Sequence, residues 1–317
     1  MKNVLVLGGT GFVGRHVCEK LHREGWHITV PTRHARKAAL VQHLPRVTVI
    51  EADVHDPAQL LRLMSGQQAV VNLIAILHGT EAAFERVHVE LPLTIVEACL
   101  SEGLRRLVHI SALGVAADGP SRYQRSKARG EDVLRAANLD LTVLRPSVIF
   151  GAGDRFLNLF SRMQAVAPFV PLAGADARFQ PVWVEDVATA VATSLREDAT
   201  GRGTIGQTIE CAGPEVLTLR DLVRLAGRHG SRERPVIGLP LSLGHWQAAM
   251  MELLPGEPLM SRDNVAAMRV PNVASGSLPD LRGLGITPAS VGAVAPTYLN
   301  DRNGRSQLLH LRERSGR

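Results

Sequence analysis

The sequence predicts an α/β fold built on a doubly wound parallel sheet, with a smaller C-terminal α/β lobe, and three observations carry that expectation. An apolar run, Val4–Leu7, leads straight into a loop with glycines at 8, 11 and 14. Further apolar runs recur at Ile28–Val30, Val47–Ile50, Ala69–Ile74, Leu107–Ile110 and Leu141–Leu144, with helix-patterned segments between them. The stretch 69–77 is apolar without alternation, as expected of a strand covered by helices on both faces. Together these place a Rossmann sheet in about residues 1–150.

The first strand sets the chemistry. Gly8 permits a sharp turn, Gly11 lets backbone N–H groups approach a pyrophosphate, and Gly14 lets the next helix pack closely. Val13, Val17 and Leu21 then repeat at helical spacing, and a second strand at 27–31 completes a βαβ unit. In that context the loop reads as a dinucleotide cradle rather than a flexible linker, with Gly8, Thr10, Gly11, Phe12, Val13 and Gly14 as its contacts.

Arg33 follows the second strand, where a fold specific for NAD(H) carries an acid for the ribose 2′-hydroxyl. A guanidinium there suits a 2′-phosphate, and Arg36 and Lys37 add charge nearby. NADP(H) is therefore the expected cofactor. The alternative is NAD(H), with these residues a basic cluster in an arginine-rich chain. Arg15 is a second phosphate candidate that could equally face solvent. After the third strand, Asp56 is placed to cap a helix starting at Pro57.

Beyond the fifth strand, Tyr123 and Lys127 stand four apart, on one face of a helix. Tyrosine titrates near pH 10 and serves as an acid or base near neutrality only where a neighbouring cation favours the phenolate. Lys127 is one of four lysines against thirty-two arginines, so its identity is notable in this composition.

Later segments loosen in order. A helix is expected around Phe156–Val166, and residues 178–187 lead into another. Thr208–Cys211 reads as a strand returning to the sheet, near 205–213. The expected organisation is thus 1–150 with that returning strand, a smaller substrate or partner lobe over 151–300, and a basic tail over 301–317.

These features resemble the short-chain dehydrogenase/reductase superfamily, whose glycine spacing the loop shares. The segments Leu144–Gly151 and Pro181–Val187 are similar to its extended and atypical, epimerase/dehydratase-like branches. The resemblance implies that Asp53 and Val54 meet the adenine, that Leu73 and Ala75 line the pocket by main chain, and that Pro146 borders the nicotinamide. It implies Tyr123 as acid/base and Lys127 as its activator and ribose ligand. Active members add a hydroxyl just past the fifth strand. Ser111 is the candidate here, able to reach a substrate or to satisfy a buried backbone group. Leu113 occupies the position where many extended members carry that hydroxyl. The cofactor half is complete and the reaction half is not, which leaves a nucleotide-binding protein and an active reductase, epimerase or dehydratase both open.

Ser121-Arg-Tyr after a short loop, with Met250–Val265, further resembles the nucleotide-binding accessory subunits of respiratory complex I and their bacterial relatives. That likeness implies tight NADP(H) binding and a structural or assembly role beside a membrane quinone enzyme. Residues 243–254 read as an amphipathic helix exposing Trp246, Met250 and Met251 on one side, expected first to pack on its own lobe and second to face a partner or membrane.

Composition bounds the rest. No apolar run in the 317 residues approaches the roughly 18 that a membrane helix needs. The first strand starts so close to Met1 that no signal peptide is expected, which points to the cytoplasm, or to the periphery of the inner membrane. Cys18, Cys99 and Cys211 are far apart, and the twelve histidines show no ligand spacing, so neither disulfide nor metal is expected. The net charge of +6 is spread along the chain with 4% aromatics, which argues against nucleic acid.

Overall fold

Seven parallel strands form the main sheet: β1 (Asn3–Leu7), β2 (His27–Thr32), β3 (Val47–Glu51), β4 (Ala69–Asn72), β5 (Arg106–Ile110), β6 (Asp140–Pro146) and β7 (Thr208–Cys211). Their order is β7-β6-β5-β4-β1-β2-β3, with β1 at the centre of the crossover where the winding reverses. The computed structural model describes residues 2–196, 203–230, 232–240, 243–244, 246, 248–249 and 261–299, without the side chains of Ala35 and Lys37.

The winding follows from alternating burial. Leu5, Leu7, Val70 and Leu107 share a core with Leu60, Leu63 and Met64 of α2 (Pro57–Met64), Leu91 and Ile95 of α4 (Leu91–Ser101) and Leu134 of α5 (Arg122–Ala136). The opposite set, Val4 and Val6, is also fully buried, and α1 (Phe12–Arg23) packs with α6 (Val184–Ser194). Each fully buried leucine or isoleucine in these layers contributes roughly 1.5–3 kcal/mol. Strand β4 stops at Asn72, short of the expected Ile74, because the Asn72 side chain accepts the Ile74 N–H at 3.1 Å and turns the chain.

Between α3 (Glu81–Glu85) and α4 lies a π-helical turn, Arg86–Glu90. A Cβ at Gly130 would come within 1.9 Å of the His88 carbonyl oxygen, so only glycine lets α5 cross the π-turn this closely.

The chain divides into two units. The first holds 1–147, 184–212 and 274–287, so it takes in α6 and a later segment beyond the single returning strand expected. Glu210 fixes that segment, accepting the Ser275 N–H at 2.7 Å.

The second unit holds 148–183, 213–273 and 288–317. Its described core gathers Phe160 and Leu157 of the helix Leu157–Val166, Leu222 and Val223 of the helix Leu219–Gly230, and Ala295 and Leu299 of the helix Val291–Leu299. Strands Val170–Ala173 and Val236–Leu239 pair in parallel. Buried Gln164 donates to the Val223 carbonyl at 2.7 Å, and Tyr298 donates to Asp154 at 2.8 Å. Trp246, expected to pack on this lobe, is 72% exposed. Met250, Met251 and the rest of 250–260 lie outside the described residues, as does the basic tail over 301–317.

Candidate functional site

The glycine loop is shaped by close contacts that exclude side chains. Gly8 has φ +83°, and its carbonyl oxygen lies 2.2 Å from where a Gly14 Cβ would sit. That Cβ would also fall 2.6 Å from Gly9 Cα, so α1 packs directly on the loop backbone. Gly9, which sequence reasoning did not single out, is held by Val30, 2.8 Å from its would-be Cβ. Gly11 is different. Its Cβ would meet only the Gly8 oxygen, at 3.2 Å, so what its lack of a side chain leaves is open approach.

Gly11 is the N-cap of α1 and supplies no side-chain bond. The Arg15 N–H is the first to reach back, to Gly11 O at 3.1 Å. The N–H groups of Phe12, Val13 and Gly14 precede that first helical bond and have no acceptor within the helix, beside a half-buried Thr10. This is the arrangement an anion requires. Arg15 stacks on Phe12, 5.5 Å from the ring centroid, and donates to His16 at 3.3 Å. His16 in turn meets Glu185 of α6 at 2.5 Å.

The backbone leaving β4 runs along the same loop. A Gly8 Cβ would lie 3.3 Å from the Leu73 carbonyl carbon, Leu73 is half-buried and Ala75 exposed. At the end of β3, Asp53 accepts the His55 N–H at 3.1 Å, and the side chain of Val54 belongs to the core. Asp56 caps α2 as expected, accepting from Ala58 at 2.9 Å.

Arg33 is exposed just past β2, and Arg36 is exposed on the following turn. The Lys37 side chain lies outside the described residues. Burial first, then the charge of Arg86 and to a lesser degree that of Arg33, hold His55 below its ordinary value, while Asp53 opposes them. Arg33, Arg86, His55 and Asp53 therefore share one electrostatic neighbourhood. Arg86 comes from the π-turn, and no local sequence signal places it beside the end of β3.

Ser121 starts α5 with a capping box, accepting the Gln124 N–H at 3.1 Å while Gln124 accepts the Ser121 N–H at 3.2 Å. One turn of helix then aligns Tyr123 with Lys127. The Tyr123 ring lies edge-on to His88, with centroids 5.5 Å apart, and to Phe84 at 6.4 Å. His88 ties three elements together: its Nε2 accepts the Ile76 N–H at 3.2 Å and its Nδ1 meets Ser126 Oγ at 2.8 Å, which donates to the Tyr123 carbonyl at 3.0 Å.

Lys127 is 1% exposed and donates to the Ile110 carbonyl at 2.7 Å. Burial lowers its amine to about 8, against the opposing charge of Glu131. Burial pushes the Tyr123 phenol up to about 12. The cationic assistance expected from Lys127 does not offset that burial in this structure.

Ser111 is 4% exposed, and its hydroxyl faces the Glu131 carboxylate without regular hydrogen-bond geometry. Glu131 is bound by Arg145 at 2.7 and 2.9 Å and by Arg135 at 2.9 Å, an ion cluster that sequence reasoning missed. Leu113 is buried, and its N–H donates to the carbonyl of Pro146, itself buried at the end of β6, at 2.9 Å. Among the described residues no cluster of three or more His, Cys, Asp or Glu could hold a metal, and no helix is long and apolar enough to cross a membrane.

Residues 4–208 match the NAD dependent epimerase/dehydratase family. The mouse protein "NADH dehydrogenase [ubiquinone] 1 alpha subcomplex subunit 9, mitochondrial" is 32% identical over 294 residues, covering 89% of this chain and 76% of the relative. A Caulobacter vibrioides "Ceramide reductase" is 30% identical over 200 residues, 62% of each chain. The solved NADPH-dependent quinone oxidoreductase QOR2 of Escherichia coli, complexed with NADPH, superposes with a TM-score of 0.73 at 18% identity, over 93% of this chain and 99% of that one. A glycine cradle at the crossover of a doubly wound sheet agrees with these likenesses: the chain belongs to the NAD dependent epimerase/dehydratase family.

Proposed function

We infer that this chain holds NADP(H) as a structural or assembly component at the periphery of a membrane carrying a respiratory quinone enzyme. The observation that carries the reading is the uncapped N-terminus of α1 over a loop that admits no side chain at Gly14, with Arg33 past β2. Gly8, Thr10, Gly11, Phe12, Val13 and Gly14 would hold the pyrophosphate. Arg33 and Arg36 would take the 2′-phosphate, with Arg86 adding positive field. Asp53, the Val54 backbone, Leu73 and Ala75 would flank the adenosine half, and Tyr123, Lys127 and Pro146 the nicotinamide end. The bound nicotinamide would supply a hydride donor or acceptor.

The structural role is favoured by the mouse relative's name and by the Tyr123 phenol, which burial pushes up to about 12, away from the neutral range where an acid/base works best. A second reading, an NADP(H)-dependent reductase using Tyr123 and Lys127 on a carbonyl, draws on their retained spacing and on the reductase relative.

Titration calorimetry with NADPH and NADH tests the cofactor assignment. Arg33→Gln is expected to weaken NADPH about tenfold, the loss of one charge-assisted bond, and to leave NADH nearly unchanged. Equal losses for both would remove the phosphate role. In an NADPH oxidation screen over carbonyls and quinones, turnover that disappears in Tyr123→Phe would favour the reductase.

A further inference from the structure

Behind Lys127 lies a buried polar chain that neither the cofactor loop nor Tyr123 uses. Asn72 at the end of β4, His109 in β5 and Lys127 in α5 are 1%, 2% and 1% exposed. Asn72 Nδ2 meets His109 Nδ1 at 3.2 Å, and His109 Nε2 meets Lys127 Nζ at 3.4 Å.

The proton positions follow from the backbone. Asn72 Oδ1 accepts the Ile74 N–H, which fixes the amide orientation and leaves Nδ2 as the group facing the imidazole. An amide nitrogen only donates, so His109 Nδ1 is bare. A neutral imidazole with a bare Nδ1 carries its proton on Nε2, and that N–H points at Lys127. An ammonium has no lone pair to receive it; a neutral amine has one.

We propose that Asn72 and His109 are positioning residues that lower the proton affinity of Lys127 in the nucleotide-free chain, presenting an imidazole N–H rather than a lone pair to its amine. The neighbouring charges allow this. Glu131, one turn along α5, favours the ammonium, but its carboxylate is engaged by Arg145 of β6 and Arg135. His88 of the π-turn is neutral, lowered to about 3 by burial and by Lys127. His109 is lowered by burial, Lys127, His88 and Arg135. Tyr123 stands one turn before as a phenol. A Lys127 whose ammonium is disfavoured stabilises a Tyr123 phenolate less, so this network would weaken acid–base work at the tyrosine while leaving Lys127 able to donate hydrogen bonds. The inference rests on the reading of Lys127 as the nicotinamide-end group, yet its test needs no nucleotide.

Nitrogen-15 NMR of the histidines in the full-length wild-type chain, with His109→Gln to assign the signal, is expected to show His109 protonated on Nε2. With only four lysines, carbon-13 titration resolves each. Lys127, assigned by Lys127→Met, is expected to titrate near 8, apart from the other three. In Asn72→Asp a carboxylate would take the proton on Nδ1, bare Nε2 and raise the proton affinity of Lys127 tenfold or more. A wild-type Nδ1–H tautomer, or Lys127 titrating with the other lysines, would overturn the proposal. The wild-type spectra decide it even where Asn72→Asp fails to fold.

Discussion

Replacing Gly14 by alanine is expected to abolish measurable dinucleotide binding and to lower the melting temperature by about 5 °C or more, the result of overpacking that costs about 3 kcal/mol. The new methyl would lie 2.2 Å from the Gly8 oxygen and 2.6 Å from Gly9 Cα, both backbone atoms that no rotamer change can move. Relief requires α1 to lift off the loop, which carries the N–H groups of Phe12 and Val13 away from the anion they would bind. Gly11→Ala separates the two effects. Its methyl meets one atom at 3.2 Å, so melting should stay within about 2 °C of wild type while binding weakens by obstruction. Calorimetric titration and thermal melting of both variants check this. A Gly14→Ala chain that binds and melts like wild type would refute the packing account.

Loss of Glu131 should be the second large effect. Glu131→Ala removes the buried carboxylate that binds Arg145 and Arg135 and that Ser111 faces, and leaves the half-buried Arg145 guanidinium and the exposed Arg135 without it. Breaking a buried ion cluster from one side costs about 3 kcal/mol or more, read as a lower urea midpoint at unchanged slope. The pH dependence has a defined sign. Burial alone would raise Glu131, but the hydrogen bond from Arg145, the facing Ser111 hydroxyl, the Arg145 charge and Arg135 together outweigh it, and the carboxyl lies below its ordinary 4.5 when folded. Its stabilisation is therefore complete above about pH 4.5 and disappears as the pH falls through the lower folded value. Asp56 and Glu185 shift in the same direction, so the difference between wild type and Glu131→Ala isolates this group: it should shrink below pH 4.5. A difference independent of pH would show that packing, rather than charge, is what Glu131 supplies.

Local pattern made the sheet legible. The apolar runs locate β1 to β6 to within two residues at each end, because strands buried on both faces are written as continuous apolar sequence and the edge strand β3, with no buried residue, is still rich in β-branched residues. Thr208–Cys211 joins the edge beside β6, as its composition suggested. The glycine cradle was readable for the same reason: each glycine answers a contact or a turn within a few residues. Other parts depend on partners far along the chain. Glu131 meets Arg145 only because α5 folds back onto β6. Asn72 and His109 meet because β4 and β5 are neighbours in register. Arg86 acts on His55 beyond the end of β3 from the π-turn, whose close crossing by α5 at Gly130 is a long-range contact. Tyr123 and Lys127 were identified by spacing, yet their protonation is governed by burial, which spacing does not encode.

The central claim is that the glycine loop and Arg33 hold a phosphorylated nicotinamide dinucleotide. Mass spectrometry of the small molecules released on denaturing the gently purified chain tests it without assuming a substrate. NADP+ or NADPH is expected, at close to one per chain, and is expected to fall sharply in Gly14→Ala. Release of NAD(H) alone would contradict the role of Arg33. A chain that releases no dinucleotide, and takes up neither NADPH nor NADH when they are added, would contradict the binding site itself.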